Sequence, residues 1–204
     1  RRIEAVTGIE ALNMVRDYNS IISDMRNLFN CTELELIDKI LDISKVCIDT
    51  IRNGGKLLFC GNGGSAADSQ HLAAEIVVRF KDNRRPLPAI ALTTDTSVIT
   101  SISNDFTFDE VFSRQLEAIG TDRDILIAIS TSGESKNILN ALSKAKEMGM
   151  CTISLVGNST KNVKKLSDYL FSIPSDVTGV VQQSHITIGQ LIAMNIEDNF
   201  IDES

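Results

Sequence analysis

The chain lacks the marks of several protein classes. Its four cysteines, Cys31, Cys47, Cys60 and Cys151, are scattered with no CxxC pair. No secretion signal accompanies them, so they read as reduced thiols of a cytoplasmic protein rather than a disulfide framework. No apolar run approaches the length needed to span a bilayer, and no membrane partner is expected. A net charge of −7 and a pI near 4.9 leave no basic footprint for nucleic acid. Low-complexity runs are absent, and histidine is scarce, with only His71 and His185. What remains is a 204-residue chain with 43% hydrophobic residues. That suffices for one globular domain with a full core, or one domain carrying a helical extension.

The most informative stretch runs from Leu57 to Glu75. An apolar strand, Leu57 to Cys60, enters the turn Gly61-Asn62-Gly63-Gly64-Ser65, and the turn opens a helix. A helix start leaves its first N–H groups unpaired and partly positive, which suits an anion. His71 and Glu75, four residues apart, share one helix face. The segment fits a phosphorylated ligand held beside a metal or an acid–base pair; it also fits a structural turn followed by two surface polar residues. A second loop repeats the design. The buried-strand run Asp124 to Ile129 empties into Ser130-Thr131-Ser132-Gly133-Glu134-Ser135, and Ile138, Leu139, Ala141 and Leu142 follow at helical spacing. Hydroxyls and backbone donors together suit a phosphate, although serine caps also arise for structural reasons. Two such loops, each at the carboxyl end of a strand, favour ligand binding.

The rest of the chain alternates in the same way. Helical periodicity covers 3–29 and 34–51, with Asn53-Gly54-Gly55 as a stop signal. Strands are predicted at 57–60, 88–92, 124–129, 151–156 and 169–173, and helices near 66–80, 108–118, 135–148, 160–167 and 178–200. Such alternation predicts an α/β fold with a mostly parallel sheet covered on both faces. Ligands in these sheets sit beyond the carboxyl ends of strands, where the strand order reverses. If the first and third strands are neighbours, the two loops face each other across that crevice. Thr93 to Ser97 reads as an N-cap cluster. Asn104 and Asp105 end a short helical stretch, where they make a turn or hydrogen-bond sugar hydroxyls. Arg84-Arg85-Pro86 reads as a solvated turn.

These residues carry a resemblance. The segments CGNGGSAADSQHLAAE, ALTTDTS, SNDF, VFSRQLEAIG, DILIAISTSGES and VQQSHI, in that order, resemble the sugar isomerase (SIS) domain family and, within it, the phosphoheptose isomerases. The similarity runs from about Leu34 through the last helix. It implies one SIS domain over 1–204, folded as a three-layer αβα sandwich around a five-stranded parallel sheet of flavodoxin-like strand order. Helices within 1–53 would form an N-terminal extension packing on the domain and in the oligomer, a homotetramer with active sites at subunit contacts. The implied reaction interconverts sedoheptulose 7-phosphate and D-glycero-D-manno-heptose 7-phosphate, the opening step toward the heptose of bacterial lipopolysaccharide. By the same resemblance, sugar-phosphate contacts fall on Asn62, Gly63, Gly64, Ser65, Glu75, Asn104, Asp105, Ser130, Thr131, Ser132, Ser135 and Gln182. Zinc ligands fall on His71, Glu75, Gln182 and position 190, one zinc per site. Glu75 doubles as a catalytic acid/base, and Asp68 lies in the active site.

One position departs from the family. Eight residues after Gln182 the family has a histidine that is both a zinc ligand and the partner acid/base; this chain has Gln190. His185, three residues after Gln182, matches a separate family position. A carboxamide donates and accepts hydrogen bonds but cannot titrate, and its oxygen is a poorer zinc ligand than imidazole. Weaker zinc occupancy is expected, with a loss of about 10²–10⁴-fold if an acid/base partner is missing. On a straight helix Gln182 and Gln190 lie about 80° apart, whereas Gln183 and Gln190 align better. Convergence on one metal therefore needs Gln182 near a helix start or a bend. Three functions fit the sequence: a phosphoheptose isomerase, active or impaired; a noncatalytic SIS-domain interaction protein of the replication-initiator-associating type; or another sugar-phosphate isomerase or sensing module. The second class typically loses the glutamate of the HxxxE pair. Glu75 is kept, which favours the enzyme.

Overall fold

The structure, a computed structural model, describes residues 33–201. The helix predicted over 3–29, and Cys31 with it, lies outside the described residues. Helix α1 (Glu33–Arg52) ends where Asn53 and Gly54 follow, as the stop signal predicts. Next come β1 (Leu57–Gly61), α2 (Gly64–Val77), β2 (Ala89–Ala91), α3 (Thr96–Asp105) and α4 (Ser113–Ile119). They are followed by β3 (Ile125–Ser130), α5 (Lys136–Glu147), β4 (Cys151–Val156), β5 (Tyr169–Ser172) and α6 (Thr178–Asp198). The five strands form one parallel sheet in the order β2-β1-β3-β4-β5. This is the flavodoxin-like order that the resemblance implies.

Alternation along the strands divides the core. Leu57, Phe59, Ile125, Ile127, Ile153 and Leu155 face α1, α2 and α6, joining Ile43, Leu72, Ile76, Ile188 and Ile192. Leu58, Cys60, Leu126 and Ala128 face the other way, against Leu116 of α4 and Ile138, Ala141 and Leu142 of α5. Both faces of the central strands are dry, which is why they read as unbroken apolar runs. The result is a three-layer αβα sandwich. Cys47, Cys60 and Cys151 are free thiols, and no helix among the described residues is long and apolar enough to cross a membrane.

β1 and β3 pair along their whole length, with Gly61 opposite Ile129. Their exits are therefore adjacent, at the point where the strand order reverses. That is the crevice the sequence anticipates.

Three predicted elements differ. The helix expected over 160–167 is a run of turns with only isolated helical hydrogen bonds, Lys164 N–H to Thr160 and Leu166 N–H to Val163. Side chains take carbonyls there, Ser167 Oγ donating to Val163 at 2.9 Å and Thr152 Oγ1 to Leu166 at 2.8 Å, and the second bond ties the end of the segment to β4. The helix expected over 108–118 is split into a 3₁₀ turn, Phe108–Glu110, and α4. Adjacent Val111 and Phe112 are both buried, and one continuous helix turns neighbouring residues about 100° apart, away from a shared face. Finally, Arg84 is not in a solvated turn; it is 5% exposed.

Candidate functional site

The Gly61–Ser65 turn is shaped by backbone approach. Gly63 has φ of +55°, the left-handed region that favours glycine. A Cβ at Gly64 would collide with the Gln182 amide of α6. A side chain at 64 would have to displace the Gln182 carboxamide, which lies against the loop. Ser65 is buried, its N–H donating to Asn62 O at 3.0 Å while its carbonyl accepts from Ser69 Oγ at 2.8 Å.

The second loop, after β3, is organised by its own hydroxyls. Ser130 Oγ accepts from Gly133 N–H at 3.1 Å, and Ser132 Oγ accepts from Glu134 N–H at 3.2 Å. Ser135 caps α5 without a side-chain hydrogen bond, so its hydroxyl is not consumed by the helix it starts. Asn62 and Asn137 tie the loops together: each side-chain amide donates to the other's oxygen at 2.8 Å. Asn137 is buried. Asn62, expected among the substrate contacts, also clips the loops together, with one side-chain N–H and its carbonyl oxygen engaged by Asn137. A polar cleft opens next to the second loop, lined by Thr131, Ser132, Asn158, Ser159, Asp176 and Thr178.

The acid–base couple sits on α2. His71 Nε2 lies 3.1 Å from Glu75 Oε1, with the His71 side chain half exposed and that of Glu75 largely covered. Gln190, more than three turns into α6, brings its carboxamide to 3.4 Å from the same ring nitrogen. One nitrogen therefore faces a carboxylate oxygen and a carboxamide together. Either end of a carboxamide can be turned toward it, so Gln190 can serve His71 as acceptor or donor as the ring changes protonation. Asp68, one turn earlier on α2, buries Oδ2 without a hydrogen-bond partner. Burial pushes its carboxyl above the ordinary range, opposed by the charge of His71.

The structure brings His71, Glu75 and Gln190 into contact, and seats Gln182 against Gly64. Asn104 and Asp105 stand apart in their bonding: exposed at the end of α3, Asn104 Nδ2 donates to Asp105 Oδ1 at 2.8 Å. The N-cap reading of Asp95 holds, since its carboxylate accepts from Val98 N–H at 2.9 Å. His185 is fully buried beside the Val156 backbone, and burial pushes its imidazole down to about 4.

Zinc was expected on four side chains, and the donor set does not fit it. His71 and Glu75 are good ligands, but the other two are carboxamides. No group of three or more His, Cys, Asp or Glu suited to a metal occurs among the described residues. Catalytic zinc sites supply three imidazole, carboxylate or thiolate ligands, and this set falls one short.

Sequence reasoning missed Arg84, Glu197 and Asn137. Glu197 left a readable sign: it stands four residues after buried Ala193, on an apolar face of α6, where a charge requires a buried partner. Arg84 and Asn137 left none, because their partners are 113 and 75 residues away, Glu197 and Asn62.

Comparison with known proteins agrees with this geometry. The SIS domain profile matches residues 21–157. A phosphoheptose isomerase of Nitratidesulfovibrio vulgaris is 50% identical over 167 residues, 82% of this chain and 80% of that protein. One from Sulfurimonas denitrificans is 51% identical over 162 residues, 79% of this chain and 83% of that protein. The solved phosphoheptose isomerase of Neisseria gonorrhoeae superposes with a TM-score of 0.78 at 34% identity, covering 92% of this chain and 99% of its own. This chain therefore belongs to the SIS domain family, in its phosphoheptose isomerase branch, and is a sugar isomerase.

Proposed function

We propose that this protein interconverts sedoheptulose 7-phosphate and D-glycero-D-manno-heptose 7-phosphate through a cis-enediol, supplying a heptose precursor of surface polysaccharide. The carrying observation is the His71–Glu75 couple, 3.1 Å apart, with Gln190 on the same nitrogen, on the helix that the glycine loop opens.

In the aldose-to-ketose direction Glu75 takes the proton from C2 as the carbonyl oxygen on C1 gains one. The enediol then loses the proton on its C2 oxygen, and Glu75 returns its proton to C1. His71, held between Glu75 and Gln190, is the titratable group beside Glu75 that can serve the two oxygens. The phosphate belongs to the second loop, where Ser130, Thr131, Ser132 and Ser135 offer hydroxyls and the start of α5 offers N–H groups. The sugar then spans from that loop to α2. No step is assigned to zinc, because the donor set is one strong ligand short.

Assembly as a homotetramer is part of the same proposal. Supporting it are the exposed Val77 and Val78 at the end of α2 and Val177 and Val180 around the start of α6, apolar surface of the kind a subunit contact covers. Light scattering on the purified protein tests it, and a monomer refutes it. The reaction is tested by following sedoheptulose 7-phosphate turnover. Absence of turnover in folded protein, with and without added zinc, overturns the reading.

A further inference from the structure

Arg84 and Glu197 form a buried ion pair whose side chains are 0% and 2% exposed. Glu197 Oε2 accepts from Phe80 N–H at 2.6 Å, and Oε1 accepts from Lys81 and Asp82 N–H at 2.6 and 2.7 Å. Arg84 Nε lies 3.3 Å from Oε2. The guanidinium also reaches past its partner, Nη1 donating to the Arg85 carbonyl at 3.0 Å and Nη2 to the Glu75 carbonyl at 2.8 Å. Isolated buried charges are costly; here the Glu197 carboxylate takes three backbone N–H groups and the two Nη atoms of Arg84 reach carbonyls, while Arg84 Nε faces Oε2 as a charge contact without a hydrogen bond.

The placement matters more than the pairing. Glu75 lies in the last turn of α2, where carbonyls have no helical donor, so Arg84 caps the peptide group of Glu75 itself. Glu197 lies seven residues after Gln190, two turns along α6, within about 20° of the same stripe. Next to Gln190, α6 meets α2 closely, since a Cβ at Gly189 would collide with the Leu72 side chain. One stripe of α6 thus touches His71 through Gln190 and, two turns on, fixes the backbone of Glu75 through Glu197 and Arg84.

We propose that Arg84 and Glu197 are positioning residues: together they hold the Glu75 carboxylate in register with His71 and Gln190. The pair acts on the acid–base end of the site alone. The phosphate loops are held by a separate device, the Asn62–Asn137 amides. The proposal rests on Glu75 being the proton carrier, as given above. Small misplacement of such a group costs about 10²-fold in rate.

The test uses Arg84→Lys, which keeps the charge but cannot reach three acceptors, and Glu197→Gln, which is isosteric. Each should lower kcat about 10–100-fold, measured well below the melting temperature, with KM for sedoheptulose 7-phosphate within about threefold. A purely structural pair would lower the melting temperature and leave kcat per folded molecule unchanged. The sharper readout is the double variant Glu75→Gln/Arg84→Lys. If Arg84 acts through Glu75, the double variant is no slower than Glu75→Gln alone; multiplied losses overturn the proposal. Should Arg84→Lys fail to fold, Glu197→Gln in the same cycle decides the question. Wild-type kcat in Glu75→Gln would instead sink the functional reading itself, and is distinguishable from wild-type kcat in the Arg84 and Glu197 variants alone.

Discussion

Replacing Gln190 by histidine is the most discriminating perturbation of this site. The Gln190 carboxamide nitrogen lies 3.4 Å from His71 Nε2, which in turn lies 3.1 Å from Glu75 Oε1. Tetrahedral ligands about 2.0–2.1 Å from one zinc stand roughly 3.4 Å from each other, so the spacing already matches a shared ion while the chemistry does not. An imidazole at 190 brings the strong ligands from two to three and adds a titratable group. An acid/base partner is worth about 10²–10⁴-fold, or roughly 3–5 kcal/mol of barrier. Gln190→His should therefore raise kcat at least tenfold and carry zinc close to one ion per chain after purification, where the parent carries little. The assay pairs sedoheptulose 7-phosphate turnover with elemental analysis, before and after chelation. Chelation should return the variant toward the parent rate. If the folded variant gains neither zinc nor rate, position 190 does not address the reacting atoms and the argument for it fails.

Other expectations are simpler to state. Glu75→Gln should lower turnover about 10²–10⁴-fold, to a residual rate that can still be measured, while sugar-phosphate binding, read by calorimetry, persists; equal loss of both would make Glu75 mainly structural. Asn137→Ala strands the Asn62 amide, so stability should fall by about 1–3 kcal/mol in urea titration and KM should rise more than kcat falls. Burial holds His185 neutral in the fold, its pKa lowered from 6.5 to about 4. The unfolded chain therefore takes up that proton first as pH falls. The contribution is complete above about 6.5 and is lost toward 4, a total of roughly 3 kcal/mol. Urea midpoints at pH 7 and 4.5 should differ less in His185→Asn than in the parent. Glu197 carries the same sign at lower pH: burial would push it up, but the N–H groups of Asp82, Phe80 and Lys81 and the Arg84 charge hold it below its ordinary value.

Much of the site was legible because it is local. The strand–loop–helix units around Gly61–Ser65 and Ser130–Ser135 carry their whole signal within a dozen residues. The His71–Glu75 couple follows from helix spacing; the neighbouring of β1 and β3 was a condition on the sheet rules alone and an implication of the family resemblance. The position of Gln190 against His71 was the departure that the family resemblance flagged, and the structure puts it in contact. The rest was illegible because it is distant or competitive. Arg84-Arg85-Pro86 looks solvated until Glu197 of another helix is beside it. The segment 160–167 has acceptable helix formers, but Thr152 and Ser167 take its carbonyls. Asn137 carries no local sign of its partner Asn62, 75 residues earlier in the chain.

The reciprocal Asn62–Asn137 pairing joins two neutral groups, so neither acid nor salt has a charge in it to act on. Grip on the phosphate and handling of the proton are thereby separated in their sensitivity to solution conditions. As the solution is acidified, the cradle keeps its shape. An acid limit on this enzyme should then be felt in how fast it turns over, with its hold on substrate following only the ionisation of the phosphate.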